Sequence, residues 1–243
     1  MRQTRVYTGQ GLSSFEPVEL GDRTAHYLTR VLRLSVGDQV TLFNGDGLDY
    51  AGEITGIQRH VVTVMLGKSR NPDNESCLDI TLVQAISRGE RMDYCLQKST
   101  ELGVSRIRLL NSKRVEVRLK DARLQKRMAH WQAVIISACE QSGRAQVPEL
   151  IPPLSFQQWL SSADVMGHLL LDPLAKTTLS SVSTGAGAVS LLVGPEGGFS
   201  DDEVEQAKAM GVKPVSLGPR VLRTETAGPT AIAVLQTLSG DFR

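Results

Sequence analysis

Two stretches decide how this chain reads: LLVGPEGGFSDDE (residues 191–203) and SLGPRVLRTETAGPTA (216–231). Each runs from an apolar, strand-like segment into a Gly-Pro pair and then into a helix. In the first, Gly194-Pro195-Glu196-Gly197-Gly198 precedes a capping box, Ser200 with Glu203, that opens a helix predicted to reach Met210 and to stop at Gly211. In the second, Gly218-Pro219 leads into Arg220, Arg223 and Glu225, ahead of a last helix predicted from about Thr226 to Leu238. Glycine lets a backbone approach a ligand closely, and a helix N-terminus favours a carboxylate or phosphate. One Gly-Pro loop is explained well enough as a turn. Two in tandem, on adjacent parallel strands, fall at the C-terminal sheet edge where open α/β sheets bind ligands.

Outward from these loops, strands and helices alternate from Leu78 onward. Strands are predicted at 78–86, 106–110, 168–172, 189–194 and 212–218, and helices at 89–104, 121–143 and 156–163. The stretch 177–188 is small, polar and loop-like. This order implies an α/β domain with a mainly parallel sheet. The first seventy residues read as β instead. QVTLF (39–43) enters the turn signal NGDG (44–47), and 48–57 and 61–66 continue the meander. One helical patch carries Tyr27, Leu28, Val31 and Leu32. The polar stretch RNPDNES (70–76) is the best linker, so the domains are placed at 1–72 and 73–243.

The chain has 243 residues, 41% hydrophobic and 22% charged, the composition of an ordinary folded protein. No stretch approaches the ~20 apolar residues of a membrane span, and the N-terminus lacks the apolar core of a secretory signal. Three widely spaced cysteines (Cys77, Cys95, Cys139) form no disulfide framework, which fits a reducing cytoplasm. Walker A, GxGxxG and HExxH patterns are absent, and four scattered histidines give no ligand spacing, so no metal is expected. Net charge is +1, but residues 106–127 hold nine Lys/Arg against two Asp/Glu. That local excess suits either a polyanion footprint or a solvated helix face.

GPEGG after an apolar strand, followed by LGPRVLRTETA, resembles the RsmE family of the SPOUT superfamily, the methyltransferases that act on N3 of a uridine in 16S ribosomal RNA. The resemblance extends to RGERMDYCLQKSTELG (88–103), ACEQSGR (138–144), TRVY (4–7) and HYLTRVLRLSVGD (26–38), nearly the whole chain. It implies a small PUA-like β-barrel that binds RNA, then an α/β domain with a C-terminal trefoil knot. It implies S-adenosylmethionine as methyl donor, the small ribosomal subunit as partner, and a homodimer with no membrane role.

Under this resemblance the donor site comprises Leu171, Asp172, Gly194, Pro195, Glu196, Gly197, Gly198, Leu217, Gly218, Pro219 and Leu222. Arg223 and Glu225 are the catalytic candidates, one to stabilise a uracil anion and one to take its proton; the alternative is an ion pair that rigidifies the knot. Arg2, Arg5, Arg30, Arg33, Arg114, Arg118, Arg123 and Arg144 are candidates for RNA contacts, with Lys120 and Arg127 beside them. Lys98 with Glu101 reads as a surface pair or part of the RNA face. Glu140, Gln141 and Arg144 are expected near the site or the dimer interface. Gly228-Pro229 departs from the expectation of an uninterrupted last helix. The dimer is further expected because the apolar stripes on 121–143 and on the last helix exceed what one sheet covers. Two other classes stay open: a SPOUT enzyme acting on transfer RNA ribose 2′-OH, and a non-enzymatic RNA-binding assembly protein that binds no donor. A nicotinamide enzyme is disfavoured by the missing Rossmann loop.

Overall fold

A computed structural model describes residues 4–116, 121–162, 168–182 and 187–242. The chain divides into two compact units, Met1–Glu75 with Cys139–Val147, and Ser76–Ala138 with Pro148–Arg243.

The first unit is a five-stranded sheet: β1 (Thr4–Tyr7), β2 (Pro17–Leu20), β3 (Gln39–Phe43), β4 (Asp49–Ile57) and β5 (Val62–Arg70), in the order β1-β3-β4-β5-β2. The predicted meander is β3-β4-β5, antiparallel throughout. Strand β1 joins it parallel to β3, and β2 antiparallel to β5. The edge strands β1 and β2 share no recorded ladder among the described residues; the Gln10 side chain donates to the Glu19 carbonyl instead. Alternation along β4 and β5 puts Tyr50, Ile54, Val62, Val64 and Leu66 on one buried face with Val6, Leu20 and Leu42. Helix α1 (Asp22–His26) runs into a π-turn at Tyr27–Val31 and covers that core with Ala25 and Leu28.

The chain segment 139–147 belongs to this unit, although the linker composition placed the boundary at 72/73. Its reason is ionic. Arg144, 5% exposed, is bidentate to Glu75; Arg5 pairs with Asp49, donates to the Arg144 carbonyl and lies over the Phe43 ring. The Tyr7 N–H donates to Glu140.

The second unit holds an all-parallel six-stranded sheet: β6 (Asp79–Ala85), β7 (Arg106–Asn111), β8 (Glu149–Ser155), β9 (Leu169–Leu171), β10 (Ala188–Val193) and β11 (Lys213–Val215), in the order β11-β9-β10-β6-β7-β8. Helices α2 (Glu90–Glu101), α3 (Asp121–Ser142), α4 (Phe156–Ser162), α5 (Asp201–Ala209) and α6 (Thr224–Ser239) complete it. The sequence missed β8, because Pro152 and Pro153 argue against a strand; they are tolerated since β8 is the sheet's edge. The Ser200–Glu203 capping box forms as read, with both reciprocal bonds present.

The last helix begins at Thr224, two residues before the expected start, and runs through Pro229. Proline has no N–H for the Glu225 carbonyl, the usual i−4 partner. Close packing offsets that loss: a Cβ on Gly228 would stand 3.4 Å from Gln84 Oε1 and 3.5 Å from Leu82, so α6 sits hard on β6. Most of the apolar stripes are covered within the chain. Trp131, Ile135 and Ala138 of α3 and Ala231, Ile232 and Leu235 of α6 are buried, whereas Leu238 is 42% exposed. The argument that these stripes exceed what the sheet can cover is thereby corrected.

Candidate active site

Strands β10 and β11, which carry the two Gly-Pro loops, are not adjacent as the sequence suggested: β9 lies between them and pairs parallel with both, so the loops leaving the C-terminal ends of all three share one edge of the sheet. A cleft opens there, walled by three segments: Leu171–Pro173, Val193–Glu196 with Gly198, and Val215, Leu217 and Arg220–Glu225. Arg91 from α2 and Ala227 from α6 complete the lining.

Of the donor-site residues expected from sequence, Leu171, Asp172, Gly194, Pro195, Glu196, Gly198, Leu217 and Leu222 line this cleft, as do Arg223 and Glu225. Gly197, Gly218 and Pro219 stand outside its lining. Gly218 has φ +103°, with nothing within 4 Å of where a Cβ would be, so it serves the turn's backbone conformation rather than close packing. Gly194 is the reverse case. A Cβ there would lie 3.1 Å from the Phe199 nitrogen and 3.2 Å from Gly198 backbone atoms, so the two ends of the GPEGG turn can close only over a glycine. The turn itself is fastened by the Gly198 N–H on the Pro195 carbonyl.

Apolar walls (Leu171, Val193, Val215, Leu217, Leu222) face a charged rim of Asp172, Glu196 and Glu225 with Arg91, Arg220 and Arg223. Glu196 accepts from the Arg88 N–H and from the Arg91 guanidinium, each at 3.1 Å. Burial alone would raise its pKa, but the N–H groups of Arg88 and of Glu196 itself, with the Arg91 guanidinium, outweigh that and hold it below the ordinary value. A carboxyl lowered in this way stabilises the fold above its unfolded pKa and loses that contribution as pH falls through the folded one. Glu196→Gln is therefore expected to lower the melting temperature by a constant amount at neutral and alkaline pH and to converge on the native curve as pH falls through the carboxylate range.

Glu225 is the less tightly paired carboxylate. Its Oε1 stands 3.9 Å from Arg91 and 4.0 Å from Arg223, its Oε2 is buried without a hydrogen-bond partner, and the side chain is 14% exposed. Arg223, by contrast, is 77% exposed at the mouth. These are loose pairings, unlike the close ion pair offered as the alternative reading.

Sequence reasoning missed Arg91, Thr224 and the apolar Val193 and Val215. Arg91 is the second residue of α2 and carried no local signal beyond the RGERMDYC string; Thr224 was hidden inside LRTETA as a neighbour of charged residues.

The arginines set aside for RNA separate into groups. Arg5 and Arg144 have their guanidinium groups engaged in the internal ion pairs described above. Arg114 donates to the carbonyls of Gly197 and Phe199 and so braces the GPEGG turn. Arg106 pairs with Asp79, and Lys113 with Asp202, which accounts for part of the basic run. Arg30, Arg33, Arg123 and Arg127 are exposed. Arg2, Arg118 and Lys120 lie outside the described residues. Lys98 and Glu101 form an ion pair along α2, and Glu140 serves the first unit. Among the described residues no group of His, Cys, Asp and Glu is placed to hold a metal ion, and no helix is long and apolar enough to cross a membrane.

Comparison with known proteins is specific. An RNA methyltransferase domain matches residues 74–236, and an RNA methyltransferase PUA domain matches residues 20–65. Ribosomal RNA small subunit methyltransferase E of Buchnera aphidicola (from Schizaphis graminum) is 35% identical, over 99% of this chain and 98% of its own. The crystal structure of a ribosomal RNA small subunit methyltransferase E from Neisseria gonorrhoeae, bound to S-adenosyl methionine, superposes with TM-score 0.92 at 40% identity, covering all of both chains. A Legionella pneumophila structure with bound cofactor SAM gives TM-score 0.95 at 40% identity, again over both whole chains. With its RNA methyltransferase domain, its PUA domain and its end-to-end likeness to these relatives, the chain belongs to the ribosomal RNA small subunit methyltransferase E family.

Proposed function

We propose that this chain transfers a methyl group from S-adenosylmethionine to N3 of a uridine in 16S ribosomal RNA. The observation that carries this reading is the cleft, where the two Gly-Pro loops and the Leu171–Pro173 turn meet around an apolar slot with a charged rim.

The residues suit the donor. Leu171, Val193, Val215, Leu217 and Leu222 offer an apolar bed for adenine, whose ring edge backbone groups can read. Asp172 and Glu225 offer carboxylates to a molecule that carries cationic ammonium and sulfonium centres. When bound, S-adenosylmethionine supplies an electrophilic methyl group. The chain's own task is to make the uracil nitrogen a nucleophile, because neutral N3 holds a proton where its lone pair is needed. Glu225, which lines the cleft and is only loosely paired, accepts that proton on its carboxylate. Arg223, exposed at the mouth, stabilises negative charge as it develops on the uracil carbonyls. N3 lies on the pairing edge, so the uridine must be unpaired or turned out of its helix.

Arg30, Arg33, Arg123 and Arg127, with Arg2, Arg118 and Lys120, supply phosphate contacts in the same reading. The first unit, residues 1–75 with 139–147, acts as an RNA-binding module and the second as the catalytic domain, with the trefoil knot of the SPOUT superfamily. The substrate is the small ribosomal subunit in the cytoplasm.

We also propose a homodimer, now on narrower grounds. Leu238 is exposed, and Leu124, Met128 and Val134 are only half buried. Light scattering at micromolar concentration is expected to give the mass of two chains; a single-chain mass contradicts the dimer.

The test of function is transfer of labelled methyl from S-adenosylmethionine to small subunits and to naked 16S ribosomal RNA, without added metal. Label in the RNA of the subunits supports the reading. Donor binding without transfer to either RNA refutes the substrate, and absence of donor binding refutes the enzyme in favour of a non-enzymatic RNA-binding protein.

A further inference from the structure

Behind the cleft wall runs a chain of buried polar groups that the chemistry above does not use. Cys95 of α2 donates its S–H to Gln84 Oε1 at 3.3 Å. Gln84 Nε2 donates to the Ala85 carbonyl and to Thr224 Oγ1, each at 3.0 Å. Thr224 Oγ1 donates to the Gly194 carbonyl at 2.6 Å. Gln84 and Cys95 are fully buried and Thr224 is 6% exposed.

The direction of every bond in this chain is fixed by its members. Ala85 offers only a carbonyl, so the end of the Gln84 side chain facing it must be the NH2 group. A flipped amide would set oxygen against oxygen. The Gln84 oxygen is therefore left to the thiol. Burial pushes the Cys95 thiol up to about 12, against a lowering contact from Ser99 and with a further push from the Glu225 charge, so the S–H keeps its proton to donate. Thr224 receives an N–H from Gln84, which commits its single proton to Gly194.

Thr224 is the first residue of α6 and lines the cleft; Gly194 is the first residue of the opposite loop and lines it too. We propose that Gln84 and Thr224 are positioning residues that set the spacing of the two Gly-Pro loops, and so the donor affinity of the cleft, without touching donor or RNA through their reacting atoms. The relay explains why a glutamine lies wholly buried at the C-terminal end of a core strand. It also explains why a threonine interrupts the charges of LRTET: the hydroxyl anchors Gly194 while Arg223 and Glu225 flank it. The inference rests on the donor site proposed above.

The test is titration of the purified chain with S-adenosylmethionine by calorimetry, beside a melting curve on each variant. Thr224→Val keeps the side chain's shape but leaves the Gly194 carbonyl and the Gln84 N–H unsatisfied, and it is expected to weaken donor binding about tenfold. Thr224→Ser restores the hydroxyl and is expected to stay within about twofold of the native chain. Gln84→Met removes the relay from its far end, weakens binding by a smaller factor, and gives the same readout should Thr224→Val not fold. Combined with Thr224→Val it is expected to add little, because the groups act as one unit. Ile80→Val, in the same strand but outside the relay, is the control: its melting temperature falls and its donor affinity holds. Native-like donor affinity in Thr224→Val or Gln84→Met overturns the inference. So does an affinity loss that Ile80→Val shares in proportion to its lost melting temperature. A native chain that binds no donor refutes the donor site itself, a result readily told apart from these.

Discussion

Arg223→Ala is expected to lower single-turnover methylation about a hundred- to a thousand-fold while leaving donor affinity close to native. An electrostatic group that acts mainly on charge developing in the transition state contributes on the order of 3–4 kcal/mol to the barrier. The position of the side chain favours such a role. Arg223 occupies the N-cap position of α6 without a capping bond from its side chain, leaves its guanidinium 77% exposed at the cleft mouth, and holds Glu225 only at 4.0 Å. A group so exposed contributes little to stability, so the melting temperature is expected to hold. The competing role, a strut within the protein, predicts joint loss of melting temperature and donor binding. Arg30→Ala supplies the contrast. A phosphate contact on the first unit should weaken RNA binding, reduce the salt slope by ~1, and leave saturated turnover intact. Near-native single-turnover rates for Arg223→Ala at saturating donor and RNA remove it from the chemistry.

The second large effect belongs to Glu225. Glu225→Gln preserves shape and removes the acceptor, and turnover is expected to fall about a hundredfold or more, the usual reach of general-base catalysis. The motivating observation is a carboxylate in the cleft lining that no arginine claims closely: Oε1 stands 3.9 Å from Arg91 and 4.0 Å from Arg223. The signature of a base is pH rescue. As pH rises, solvent takes over removal of the N3 proton, so the variant's rate should climb toward the native rate. A deficit that stays constant across pH, with weaker donor binding, assigns Glu225 to holding the donor instead.

The fold was legible where side chains carry a period or a cap. Ser200 and Glu203 announced α5, Gly103 marked the stop of α2 with φ +84°, and NGDG joined β3 to β4. It was illegible where tertiary packing overrode a local rule. Pro152 and Pro153 concealed a strand that only an edge position permits, and Pro229 put the start of α6 in doubt although the helix runs through it. The loops of the cleft could be read because Gly-Pro pairs are local. Arg91, by contrast, comes from the distant α2 and enters the cleft only through the parallel sheet's order. Charge counting misled most. Arg5 and Arg144 looked like phosphate ligands by type, and nothing local told that Asp49 and Glu75 would claim them. The same limit applied to Gln84, whose role is visible only once three separate segments meet.

The most direct test of the central claim is the chemical identity of the methylated nucleoside. Small ribosomal subunits lacking the modification are incubated with the native chain and S-adenosylmethionine, the RNA is digested, and nucleosides are resolved by mass spectrometry against standards. The account predicts 3-methyluridine, approaching one per 16S ribosomal RNA, and none with Glu225→Gln over the same interval. A ribose-methylated nucleoside, a methyl group on another base, or unmodified RNA despite bound donor would contradict it.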